Sequence, residues 1–387
     1  MPKKHYVYSK EPAFINRKEE LEYLNSWISQ RPDNILFLFG PKSSGKTTLI
    51  MKFIEKSINM KGFDIKHFNL REIFIGNYSD FIQAFFEIKY PKSKEDIKEK
   101  REYNLKLFKL SKEVLKSLEE KTLDPFVVMK KELVKISEKG KRSIIMIDEL
   151  QALDDIYLNG QRELLKELFN FFVAITKESH LCHVIIASSD GYFINRIYED
   201  SKLKKTSAFF EVDYLNEKDT KYWLSHLKEE SSITAYTLTD SQIHTIWSYF
   251  GGSVWEISFI LGELLNVTNN NQIQDNDLMQ VIQKQIDMNK GNFNYYAKIN
   301  KSKKALLEQI LSIQKEKEEF DENDLESLVD EGIIEENELT EELINLVRLN
   351  YLVFNPTTSL YKLQGKSMFY GLKEYFHETK KMGSISA

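Results

Sequence analysis

An apolar run from Ile35 to Phe39 ends at Gly40 and leads into Pro41-Lys42-Ser43-Ser44-Gly45-Lys46-Thr47. Gly40 to Thr47 satisfies G-x-x-x-x-G-K-[ST] in full. The apolar run has the pattern of a strand buried on both faces, and helix signals resume at Thr47 through Ile50, Phe53 and Ile54. A strand and a helix joined by such a turn form a phosphate-binding loop. The glycines let the backbone curl so that several N–H groups converge, and the positive end of the helix dipole stands behind them. Lys46 can then reach the β- and γ-phosphates of a nucleotide, and the Thr47 hydroxyl can ligate Mg²⁺. The candidate nucleotide-binding residues are Gly40, Pro41, Lys42, Ser43, Ser44, Gly45, Lys46, Thr47 and Thr48.

A second apolar strand, Ser143 to Ile147, ends in Asp148-Glu149. Ligands of open α/β sheets bind at the carboxyl ends of strands. Asp148 is therefore expected to bind Mg²⁺, and Glu149 to orient or deprotonate the attacking water. The bland alternative is that both acids cap the following helix. A third strand, His183 to Ala187, ends in Ser188-Ser189-Asp190, where the Ser189 hydroxyl could contact the γ-phosphate or the water; a simple turn would use the same residues. Glu149, Lys46 and Ser189 are the candidate catalytic residues, with Thr47 and Asp148 the candidate metal ligands.

The surrounding chain alternates strands and helices. Residues 13–29 read as a lead-in loop and a helix with Leu21, Leu24 and Trp27 on one face; Phe63 to Leu70 and Phe209 to Val212 read as further strands. That alternation predicts an α/β fold, a P-loop NTPase core with a parallel sheet and helices on both faces. Residues 78–140 read as a Lys- and Glu-rich helical insertion. Beyond Asp213 strand signals almost vanish, and residues 216–295 look helical, interrupted at Gly251-Gly252. Helical segments Ala305 to Ile313, Glu322 to Val329 and Glu341 to Leu349, followed by a short apolar pair around Asn355-Pro356, outline a winged helix. The expected division is a core over 1–213, a helical lid over 214–298 and a winged-helix-like domain over 299–387.

Together these residues resemble the archaeal-type ATPase family, within the STAND branch related to AAA+ proteins. Phe14-Ile-Asn16-Arg17-Lys-Glu19-Glu20-Leu21 is similar to that family's opening motif, and the resemblance implies that Asn16 and Arg17 contact the nucleotide base. Gly251-Gly252 corresponds to the Gly-Gly element of the family's lid. The resemblance covers about the first 260 residues and implies ATP with Mg²⁺. Two departures bear on turnover. Val254 stands where the family usually carries proline, and Lys204-Lys205 stands where a basic pair with arginine is common. Lysine cannot imitate the planar fork of an arginine finger, and Arg196 is the nearest arginine downstream.

Lys and Arg number 54 against 59 Asp and Glu, a net charge of −5 that argues against a dedicated nucleic-acid coat. The strongly acidic stretch from Glu316 to Glu342 would repel DNA phosphates, and Glu341-Glu342 opens the presumed recognition helix. A protein partner or self-assembly is therefore favoured over nucleic acid; the mildly basic segment from Lys89 to Arg142 keeps the latter open. His180, Cys182 and His183 do not read as a metal set, because strand alternation sends Cys182 and His183 to opposite faces. One cysteine and the lack of a bilayer-length apolar run lead us to expect a cytoplasmic protein without a membrane anchor. The leading expectation is a nucleotide-dependent conformational switch. A DNA-associated accessory of a mobile element or repair system is the alternative, and a scaffold that barely hydrolyses ATP is a third reading.

Overall fold

The computed structural model describes residues 13–58, 62–72, 74–88, 108–154, 156–158, 162–200, 203–268 and 271–385. Five strands form the central sheet: β1 (Ile35–Phe39), β2 (Phe63–Asn69), β3 (Arg142–Asp148), β4 (Cys182–Ala187) and β5 (Ser207–Glu211). Their order is β2-β3-β4-β1-β5, and every pairing is parallel. The last strand begins two residues earlier than its sequence pattern suggested and stops one short of Val212.

Parallel strands buried on both faces read as unbroken apolar runs, and β1 and β4 are buried at every position. Alternation assigns their side chains to two layers. Leu36, Leu38, Met146 and Ile185 pack with α1 (Lys18–Ser29) and α2 (Lys46–Ile58) on one face. Phe37, Ile147, Val184 and Ile186 pack with the helix Leu164–Val173 on the other. Cys182 falls in this second layer, while His183 lies on the first face with its ring 4.8 Å from that of Trp27. Because β4 lies between β1 and β3, the ends of three adjacent strands bring the phosphate loop, the serine turn and the acidic pair to one edge.

Residues 89–107 of the expected insertion lie outside the described residues. The described part of the expected helical insertion is not wholly helical. Helices Tyr78–Phe85, Lys112–Glu119 and Pro125–Glu138 are present, yet Phe86–Ile88 pairs parallel with Phe108–Leu110. Phe108 and Leu110 are buried around an exposed Lys109, a period of two rather than 3.6.

After β5 the chain forms helices Glu217–Ser225, Leu227–Ser231, Asp240–Phe250, Val254–Val267 and Asp275–Ala297. Gly251 turns the chain with φ 57°, and Gly252 packs its Cα against Leu215 on the exit from β5. A Cβ at Gly252 would sit 1.8 Å from the Leu215 carbonyl oxygen. Gly252→Ala is expected to lower unfolding stability by about 2 kcal/mol or more, read as a lower urea midpoint at unchanged slope.

The remainder holds helices Lys301–Ile313, Glu326–Asp330 and Glu336–Arg348 with an antiparallel pair, β6 (Leu352–Asn355) and β7 (Leu360–Leu363). Phe320 bridges Tyr361 beside that pair. The third of these helices begins at Glu336, so Glu341-Glu342 lies inside it, and Glu342 is tied to Lys303 (2.9 Å) and the Tyr296 hydroxyl (2.5 Å). A final helix, Lys366–Ile385, was not foreseen; it packs on Asp275–Ala297, with Gly371 permitting close approach to Asn289. Among the described residues no helix is long and apolar enough to cross a membrane.

Candidate nucleotide site

The loop 40–47 runs from β1 into α2. Gly40, Ser43 and Gly45 hold φ of 145°, 64° and 95°, the alternation that makes a concave nest of backbone N–H groups. Ser44 is fully buried and Lys46 nearly so. The Lys46 ammonium folds back onto the loop, donating to the carbonyls of Gly40 (2.9 Å) and Pro41 (2.8 Å). Burial pushes its pKa down to about 8, opposed by the nearby charges of Glu149 and Asp148.

Across the loop, the Thr47 hydroxyl donates to Asp148 Oδ2 at 2.5 Å. The other oxygen, Asp148 Oδ1, is buried and has no hydrogen-bond partner. A buried carboxylate oxygen left without a donor is costly, and a divalent cation held by Thr47 and Asp148 would satisfy it. These residues fit Mg²⁺, a hard ion that takes oxygen ligands.

Glu149 adopts a left-handed backbone conformation, φ 60° and ψ 52°, fastened by its N–H to the Ala187 carbonyl at 2.9 Å. That turn brings its carboxylate to the strand edge, where Arg71 and the Gln151 amide both donate to it and the Ser189 hydroxyl lies at 3.4 Å. Burial, as the largest influence, raises the Glu149 pKa above the usual carboxylate value, with Arg71 opposing. Such a carboxyl is a stronger base than a solvated one.

A cleft of about 340 Å³ opens above the loop. Lys42, Ser43, Gly45, Lys46, Thr47, Thr48, Glu149 and Ser189 line it, so most of the residues singled out from sequence converge there. Asn16 and Arg17 do not line it. Asn16 donates to Asp219 Oδ1 (2.8 Å), and Arg17 donates to the carbonyls of Ser44 (2.8 Å) and Asp213 (2.7 Å). These bonds tie the loop 40–47 to the segment that follows β5 and to the helix Glu217–Ser225. Arg196 points elsewhere, paired with Asp154 at 2.5 Å.

Sequence reading missed Arg71, Gln151 and Trp255. Arg71 follows the end of β2, the same carboxyl edge that carries the acidic pair, and that position was the available signal. Trp255, on the helix Val254–Val267, lines the cleft and stacks on Phe259 with 5.9 Å between centroids.

Comparison with known proteins agrees with this architecture. A family model described as an ATPase domain predominantly from Archaea matches residues 14–260. One ATP-binding protein of Methanocaldococcus jannaschii is 30% identical over 392 residues, covering 95% of this chain and 98% of the relative. Two others are 39% identical over 218 and 222 residues, each covering 56% of this chain. Those two matches span only 63% and 60% of the relatives' own lengths. Among solved structures, the Walker-type ATPase paby2304 of Pyrococcus abyssi superposes with a TM-score of 0.63 at 17% identity, covering 94% of this chain and 99% of that one. The Aeropyrum pernix ORC2 protein in its ADPNP–ADP complexes gives 0.51 at 10% identity, covering 98% and 97%; both likenesses concern the fold. The chain belongs to the family of ATPase domains found predominantly in Archaea.

Proposed function

We propose that this protein binds ATP with Mg²⁺ in the cleft above residues 40–47, hydrolyses it slowly, and uses the cycle as a conformational switch. The observation that carries the reading is the Thr47–Asp148 pair with its unsatisfied carboxylate oxygen, facing a lysine-bearing phosphate loop. The relatives' description as ATP-binding proteins supports the choice of nucleotide.

In this reading the loop N–H groups and Lys46 hold the phosphates, Thr47 and Asp148 hold the cation, and Trp255 and Ala13 border the cleft. Bound Mg²⁺ would neutralise charge building on the phosphate oxygens. Glu149 would accept the proton of the attacking water, oriented by Gln151 and Ser189. Arg71 competes for the same carboxylate, so its departure from Glu149 would precede fast turnover. Asn16 and Arg17 act as braces of the loop and lid rather than as readers of the base.

The proposed modules are the core over 1–213, the lid over 214–298 and a winged-helix-like unit over 299–387. The lid contributes Trp255 to the cleft, and the last unit packs along the lid through its final helix, a layout suited to passing nucleotide-driven lid movement outward. Limited proteolysis with Mg-ATP, with Mg-ADP and without nucleotide tests the switch. Distinct cleavage patterns in the ATP and ADP states are expected; identical patterns despite nucleotide binding would refute it.

Lys46 also predicts a pH dependence. Phosphate binds the ammonium form, and in the free protein that form is lost as pH rises through about 8. Binding above that pH must take up a proton, so ATP affinity is expected to fall by up to about tenfold per pH unit there. Lys46→Arg should flatten the profile, as guanidinium stays charged. Calorimetric Kd values across pH 7–9.5 check this.

A further inference from the structure

The phosphate loop is gripped from outside at two carbonyls, by residues far apart in the chain. Arg17 holds the Ser44 carbonyl. The Lys42 carbonyl accepts from the Tyr214 hydroxyl (3.1 Å) and from Gln364 Nε2 (3.1 Å), and Gln364 Nε2 also donates to the Tyr214 oxygen at 2.9 Å. Gln364 directly follows β7, and its own backbone N–H donates to the Tyr351 carbonyl at 2.9 Å. The grip on Lys42 therefore comes from the C-terminal unit.

A trans peptide is planar, so its carbonyl and N–H point in opposite directions. Drawing the Lys42 carbonyl outward turns the Ser43 N–H the other way; drawing the Ser44 carbonyl outward does the same for the Gly45 N–H. Ser43 and Gly45 line the cleft, whereas Tyr214, Gln364 and Arg17 do not border it. Ser43 holds this arrangement at φ 64°, a conformation that a non-glycine residue adopts at some cost. The two outside donors offset part of that cost.

We propose that Gln364 is a positioning residue for nucleotide binding: through the Lys42 carbonyl it aims the Ser43 N–H at the phosphates, so the docked C-terminal unit sets nucleotide affinity. The proposal rests on the nucleotide-site reading above and names the regulation of that site. By reciprocity, nucleotide must hold the region around β7 in place by the factor through which that docking strengthens binding.

The test uses the full chain and measures Mg-ATP Kd, steady-state KM and kcat, and amide exchange over 360–365. Gln364→Leu keeps volume and loses the donor, and is expected to weaken Kd and KM by about fivefold, with a smaller change in kcat. Combining it with Tyr214→Phe should extend the loss to about 20-fold. Gln364→Arg, which retains a donor, should recover most of the affinity. In the wild type, Mg-ATP should slow exchange at 360–365. If Gln364→Leu does not fold, Gln364→Glu, which likewise lacks the Nε2 donor, and the wild-type exchange measurement still decide: unchanged affinity in the first or unchanged exchange in the second would overturn the proposal. Equal affinity of Gln364→Leu and wild type would overturn positioning alone. A loss in kcat without a loss in Kd would make Gln364 a structural brace and also overturn it. A wild type that binds no ATP would overturn the nucleotide reading and positioning with it.

Discussion

Glu149→Gln is expected to lower ATP turnover by about 10²- to 10³-fold, with ATP affinity unchanged or tighter. The amide keeps the shape of the side chain and can still accept from Arg71 and Ser189, but it cannot take a proton from water. Glu149 is largely buried and its carboxyl already titrates above the usual range, chiefly because of that burial. Removing the charge relieves desolvation, so the variant should fold at least as stably as the wild type. Single-turnover measurements with saturating Mg-ATP separate this from a binding defect. Lys46-dependent turnover in Glu149→Gln equal to that of the wild type would assign the base elsewhere, and turnover no faster than uncatalysed hydrolysis in both proteins would favour the scaffold reading.

Lys46→Ala is expected to weaken Mg-ATP binding by at least about 100-fold, because it removes the ammonium proposed to hold two phosphates from a buried loop. Lys46 is almost fully buried, and burial lowers its pKa to about 8. A lysine whose folded pKa lies below its unfolded value makes stability rise with pH between the two, so below pH 8 its buried charge opposes folding. Deleting it should therefore leave the ligand-free Tm within about 3 °C of wild type. Lost binding with an intact melting transition is the expected pair of results. A large fall in Tm would mean that the contacts to Gly40 and Pro41 hold the fold more than the ammonium burdens it.

The parts of the site that were legible in the sequence share a physical origin. Gly40 to Thr47, Asp148-Glu149 and Ser189 each stand at the carboxyl end of an apolar strand, so a local pattern placed them at one edge of the sheet without knowledge of how distant segments pack. Arg71 escaped because the apolar reading stopped at Leu70, although it lies at the same edge. Trp255 lines the cleft from the helix Val254–Val267, and Tyr214 and Gln364 bond the Lys42 carbonyl from segments that follow β5 and β7; no local period encodes that. Asn16 and Arg17 belong to a segment with a recognisable pattern, yet their hydrogen bonds to Asp219, Ser44 and Asp213 depend on tertiary packing. The pairing of Phe86–Ile88 with Phe108–Leu110 was hidden by the Lys- and Glu-rich composition around it, which favours a helical reading. The helix Lys366–Ile385 buries Met368, Leu372, Tyr375 and Phe376, a helical spacing present in the sequence.

The most direct test of the central claim is phosphate release from ATP by the purified full chain, with Mg²⁺ and with EDTA, alongside Lys46→Ala and Glu149→Gln. The account predicts slow release that requires Mg²⁺ and is lost in both variants, while Glu149→Gln still binds ATP. Release that persists in Lys46→Ala, or that proceeds equally in EDTA, would contradict it.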